Sequence, residues 1–261
     1  MQRREFLTFA VASGLLSGTA GAAPVAGTSL SLPVAINKSG RLRMLSQRGA
    51  KAWLLLVLGV LPDRSKNILA QSLASFEQIL GELKTLQPGD DIRGLTQALE
   101  QDWRVYRPQL ADLRADPKAV WAHSESVLAA AQKLTVAYEK AAGTGGGQLV
   151  NLSGRQRMLS QRMAKAYLFR QMGVNAAEAG SMLDTAMKEF AKAHEQLKAA
   201  AQSTAQIKSE LALVEQQWFF FQNALQLRAP ADRVKAASDV ATTSERILEQ
   251  MDLVVALYER L

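Results

Sequence analysis

Apolar residues recur along most of the chain at alternating steps of three and four, the spacing of an amphipathic helix. Leu69, Leu73, Phe76, Leu80 and Leu83 form one such series, and Leu95, Leu99, Trp103, Tyr106 and Leu110 a second. Trp121, Ser124, Leu128, Ala131, Thr135 and Tyr138 form a third. The longest runs through Val234, Ala237, Ala241, Ser244, Leu248, Met251, Val255 and Tyr258, a seam of the kind that closes an antiparallel bundle. Pro62, Pro117 and Pro230 stand where a helix should begin, because a first-turn residue needs no backbone donor. Pro88-Gly89-Asp90 marks a turn, and Pro108 predicts a kink or an early stop in the helix that contains it. These signals predict helices near 34–60, 63–87, 91–114 and 117–141, then near 148–173, 175–201, 204–228 and 230–260. No strand-type alternation appears, so the fold class is all-α.

The second four helices repeat the first. Ile36–Ala52 reads INKSGRLRMLSQRGAKA and Val150–Ala166 reads VNLSGRQRMLSQRMAKA, a near-identity at an offset of 114. Weaker echoes keep the same order: Glu100-Gln101-Asp102-Trp103 answers Glu215-Gln216-Gln217-Trp218, and Tyr138-Glu139 answers Tyr258-Glu259. A period this long is a tandem duplication rather than a short-repeat solenoid. The expected organisation is two tandem antiparallel four-helix-bundle units, 34–142 and 148–261, related by a pseudo-twofold. Gly143-Thr144-Gly145-Gly146-Gly147 is the expected flexible linker between them.

Composition narrows the chemistry. The chain has 261 residues, 48% apolar and 21% charged, which is a globular balance. It contains no Cys, which excludes disulfides, thiolate metal sites and a Cys nucleophile. Its two His, His123 and His194, do not correspond across the repeat and lack ligand spacing, so surface or capping roles are expected of them and no metal. No cofactor is implied. A net charge of +7 suits anionic partners. Met1–Ala22 has a charged start at Arg3-Arg4, an apolar stretch and a small-residue cleavage site at Ala20-Gly21-Ala22, the pattern of a signal peptide. Arg3-Arg4-Glu5-Phe6-Leu7 resembles the twin-arginine export motif. Residues 23–33 read as a flexible leader. The greasiest later run, Trp53–Leu61, is too short to span a bilayer. A periplasmic protein that is not transmembrane after processing is the expectation, and export disfavours nucleic acid.

The duplicated helix carries the candidate site. One stripe reads Ile36, Gly40, Arg43, Gln47, Ala50 and Leu54, and its copy Val150, Gly154, Arg157, Gln161, Ala164 and Leu168. Steps of four and three put each set on one helix face. Glycine in a helix interior costs roughly 0.5–1 kcal/mol against Ala, and an arginine on a seam costs more unless it is partnered. Glycine allows close approach, arginine presents a planar fork of donors, and glutamine adds a neutral donor. If the two first helices pack together, Gly40 meets Gly154, Arg43 approaches Arg157, and an oxyanion between them relieves the repulsion. The competing reading is a packing motif in which each arginine pairs with a carboxylate of another helix, Glu100 or Glu215 for instance. Arg41, Arg48, Lys51 and their copies read as a solvated face. Trp218-Phe219-Phe220-Phe221 leaves Phe219 and Phe220 surplus to the seam, a potential partner surface.

INKSGRLRMLSQR resembles the P-box of nitrate/nitrite sensor kinases of the NarX type, and NLSGRQRMLSQRMAKAY resembles the signature of the PilJ-type N-terminal domain of type IV pilus methyl-accepting chemotaxis transducers. The resemblance implies a periplasmic helical-bundle sensor in which two first helices hold a nitrate ion. It carries the anion-binding arginine onto Arg43 and Arg157 and the glycine onto Gly40 and Gly154. Leu42 answers Gln156 and Lys38 answers Leu152, so the two half-sites are not equivalent. The expected function is an exported anion-binding sensor module, with anion-binding residues Arg43, Arg157, Gly40, Gly154, Gln47 and Gln161. Its ligand would be a small inorganic oxyanion, nitrate or nitrite. It is expected to work without an output domain of its own, with a membrane sensor kinase, chemoreceptor or transporter as the expected partner. The alternative is a helical accessory protein of a chemoreceptor, pilus or sensor system without a small ligand. No carboxylate pair, Ser/His array, P-loop or metal motif points to an enzyme.

Overall fold

The computed structural model describes residues 31–86, 88–226 and 232–261. Eight helices occupy them: α1 (Leu32–Val57), α2 (Pro62–Leu83), α3 (Asp90–Ala111), α4 (Pro117–Ala142), α5 (Gly145–Met172), α6 (Ala176–Ala199), α7 (Ala205–Gln226) and α8 (Arg233–Tyr258). No strand occurs among the described residues. The expected signal peptide and most of the leader lie outside them, as does Pro230.

Within each half, the first helix packs against the second and fourth, and the third against the fourth, which makes a four-helix bundle. The two halves join along their first helices, and the α1–α5 contact is the most extensive between any two helices. Buried apolar side chains of both halves form one continuous core. Aromatic pairs recur in duplicate: Phe76 stacks on Trp103 at 3.7 Å between centroids, and Phe190 on Trp218 at 4.4 Å.

The turn between first and second helices is also duplicated. Gly59 and Gly173 take φ of 68° and 76°, and Leu61 and Asn175 both take φ of 47°. Glycine is at ease in that left-handed region and asparagine tolerates it, whereas Leu61 is strained there. Pro62 then starts α2 and Pro117 starts α4, as the sequence predicts.

Four expectations need correction. The Gly-rich linker is only two residues long, Gly143 and Thr144. The Thr144 side chain accepts from Gly147 N–H and caps α5, so Gly145–Gly147 are helical. The leader gives way earlier than residue 33, since α1 begins at Leu32 with Pro33 in its first turn. Pro108 does not break α3, which runs through it and ends one turn later at Ala111. Val234 is exposed, because it sits in the first turn of α8, ahead of the seam.

Candidate functional site

The pairing of α1 with α5 brings Gly40, Arg43, Gly154 and Arg157 together. The two helices run parallel in matched register. Arg43 Nη2 donates to the Asn151 carbonyl at 3.4 Å, and reciprocally Arg157 Nη2 lies 3.5 Å from the Asn37 carbonyl. Reciprocity of this kind is the mark of a twofold interface. Both arginines are buried, with 0% and 1% of their surface exposed.

The glycines make room for the guanidiniums. A Cβ on Gly40 would sit 2.9 Å from Arg43 Nη2. A Cβ on Gly154 would sit 3.3 Å from Arg157 Nη2 and 3.6 Å from Arg43 Nη2, so both forks face the same point over Gly154. Burial, and next the nearby charge of Arg157, pulls the pKa of Arg43 down to about 9, which leaves it protonated at neutral pH. Burial also lowers Arg157, against the opposing pull of Asp252. The Nε atoms of both arginines are buried without a hydrogen-bond partner among the described residues.

Gln47 and Gln161 do not join this pair. Each reaches the fourth helix of its own half instead: Gln47 Nε2 donates to the Ser124 carbonyl at 2.9 Å and Gln161 Nε2 to the Ser244 carbonyl at 3.0 Å. Their Oε1 atoms are buried and have no partner among the described residues.

The remaining partners of the arginines differ between the halves. Arg157 Nη1 donates to Asp252 Oδ1 at 2.7 Å and its Nη2 to Asn37 Oδ1 at 2.7 Å. Arg43 Nη1 donates to the neutral Gln132 Oε1 at 2.5 Å, and among the described residues no carboxylate hydrogen-bonds to Arg43. The expected partners Glu100 and Glu215 are elsewhere: they pair with Lys84 and Arg104, and with Lys198, on the outside of each bundle.

A second charged layer lies one to two turns further along. Lys51 is fully buried and donates to Glu245 Oε1 at 2.5 Å and Ser244 Oγ at 3.1 Å, while Arg48 Nη2 pairs with Glu245 Oε2 at 2.6 Å. The duplicate has Lys165 on Glu125 at 2.6 Å and on Ser124 Oγ at 2.9 Å, with Arg162 on Glu125 at 2.5 Å. Both clusters cross from one half to the other. Arg48, Lys51 and their copies are therefore interface residues rather than a solvated face. Lys51 is four residues after Gln47 on the inner stripe, and Ser-Glu recurs at 124–125 and 244–245, so the sequence held this signal. Burial pushes Glu245 upward, but Lys51 and Arg48 outweigh it and hold the carboxyl at about 2. Burial drops Lys165 to about 8 in spite of Glu125.

A groove of about 1160 Å³ runs between α3 and α4 and is lined by Ile92, Leu95, Val136, Lys133 and Lys140, with Gln132 in its wall. His194 is neither at the surface nor a cap. It is buried against Phe190, ring centroids 6.3 Å apart, and burial lowers its pKa. On α7, Phe219 and Phe220 are 61% and 58% exposed and pack edge to face on each other. Among the described residues no helix is long and apolar enough to cross a membrane.

The family described as type IV pili methyl-accepting chemotaxis transducer N-term matches the chain twice, over residues 28–132 and 141–245. No curated protein and no solved structure matches it.

Proposed function

The chain belongs to the type IV pili methyl-accepting chemotaxis transducer N-terminal family, which it carries in two tandem copies, and on that ground we propose that it is an oxyanion-sensing module. Its ligand is a small planar oxyanion, nitrate or nitrite, held between Arg43 and Arg157. The observation that carries this reading is the convergence of two buried guanidiniums on one point over Gly154, one of them without a hydrogen-bonded carboxylate. Two like charges enclosed in a helical interface repel, and an anion between them turns that repulsion into attraction. The state of the α1–α5 interface would then report the ligand to a membrane-bound chemoreceptor or sensor kinase. Calorimetry of the protein with nitrate, nitrite, chloride and sulfate tests the reading. It predicts a saturable heat for nitrate or nitrite and a melting temperature that rises with that anion. Absence of both for every anion would remove it.

The export signal read in Met1–Ala22 puts the module in the periplasm by the twin-arginine route. Changing Arg3 and Arg4 together to Lys should leave precursor in the cytoplasm. Normal periplasmic recovery of that double variant would assign the chain to a different export route.

A second reading rests on the exposed Phe219–Phe220 pair: an accessory protein that docks through α7. It predicts that Phe219→Ser with Phe220→Ser abolishes association with the partner and that no anion binds.

A further inference from the structure

The polar network around the arginines is largely duplicated, and its charge changes at the residue that receives Nη1 of each arginine. Between α4 and α8 the copies are offset by 120 residues. Ser124 answers Ser244, Glu125 answers Glu245, and Glu139 answers Glu259. Each of these makes the same contact in both halves: the serine carbonyls accept from Gln47 and Gln161, and the glutamates at 139 and 259 accept from Asn151 and Asn37. By the same offset Gln132 answers Asp252, and here the chemistry changes from neutral amide to carboxylate.

The consequences extend beyond the single bond. Asp252 serves two cations, Arg157 Nη1 at 2.7 Å and Arg41 Nη2 at 3.1 Å. In the other half the copy of Arg41, Arg155, is satisfied by Glu189 on α6 at 2.8 Å, which leaves Arg43 to the amide of Gln132. Asn37 Oδ1 accepts from Arg157, but Asn151 Oδ1 is buried without a partner among the described residues and Arg43 reaches only the backbone of Asn151. One guanidinium is thus held by a resident counter-ion and the other is not.

We propose that Asp252 and Gln132 set the charge selectivity of the site: Asp252 pairs with Arg157 from within, Gln132 gives Arg43 an amide in place of a hydrogen-bonded carboxylate, and the pair therefore takes one monovalent oxyanion in preference to a divalent one. This inference rests on the oxyanion reading above. A buried ion is stable only when its charge is matched nearby. The two arginines and Asp252 sum to a single positive charge, and the half-buried charges around them, Arg41 and Arg155 against Glu139, Glu189 and Glu259, add none to it on balance, so a monoanion suffices to cancel it. A dianion overshoots it and places its surplus charge beside the Asp252 carboxylate. Burial and the neighbouring Arg157 lower the pKa of Arg43, as expected of a cation without a matching carboxylate.

Two mirror substitutions test this by calorimetry with nitrate and sulfate as the probes. Gln132→Asp copies the Asp252 half onto the Arg43 half. It should weaken nitrate binding more than tenfold while raising the melting temperature of the anion-free protein. Asp252→Gln copies the Arg43 half onto the other and removes the internal counter-ion. It should shift the ratio of sulfate to nitrate affinity by more than tenfold toward sulfate. Wild type that binds nitrate, with a sulfate-to-nitrate ratio unchanged in Asp252→Gln or nitrate affinity unchanged in a folded Gln132→Asp, overturns the selectivity proposal and leaves the oxyanion reading standing. Wild type that binds neither anion overturns both.

Discussion

A lysine with no exposed surface is stable only next to a carboxylate, and Lys51 has one in Glu245. Removing that carboxylate leaves the ammonium buried and unpaired, so Glu245→Gln should cost about 3 kcal/mol of folding stability. The effect should depend on acid. Glu245 titrates at about 2 in the folded chain against an ordinary 4.5, so unfolding takes up a proton between those values. The stability it contributes is whole above pH 4.5 and drains away as pH falls toward 2. Urea unfolding at pH 6 and pH 3 should therefore show a smaller acid loss for Glu245→Gln than for wild type. An equal loss in both proteins would place the acid sensitivity in other carboxylates. The repeated Gly-Arg stripe was legible as a candidate site because its residues break the rules of a helix seam. Lys51 could have been read from its place four residues after Gln47, whereas Arg48 could not, because a charged residue beside a seam looks solvated until the helix that covers it is known, and here that helix belongs to the other half.

The helices were legible from the three–four spacing and the prolines, and their observed ends mostly lie within a few residues of the expected ones. Departures have local causes. Glycine triplets read as linker, yet Thr144 caps the turn and lets Gly145–Gly147 join α5. That shortens the junction to two residues and sends the chain directly from α4 into α5. Pro108 was expected to kink α3 or stop it early, and the helix continues one turn past it and ends at Ala111, short of the expected 114. The left-handed turns at Gly59–Leu61 and Gly173–Asn175 recur at the repeat offset. Glycine announces such a turn in a sequence and leucine does not, so the strain at Leu61 was hidden.

Fusing two copies in one chain has a consequence that two separate subunits could not have. Identical subunits must present identical half-sites, whereas tandem copies diverge one residue at a time. Gln132 against Asp252, and Leu42 against Gln156, are such divergences on an otherwise matched pseudo-twofold. The sequence displayed the duplication plainly. It did not show that α4 and α8 supply the Nη1 partner of each arginine. The central claim is that one oxyanion is shared by both halves. Titration calorimetry with nitrate on wild type, Arg43→Ala and Arg157→Ala reads affinity and stoichiometry separately. The account predicts one ion per chain in wild type. Each single variant should bind about 10- to 150-fold more weakly, the loss of a charge-assisted contact of about 1.5–3 kcal/mol. Two ions per chain, falling to one of unchanged affinity in each variant, would contradict it.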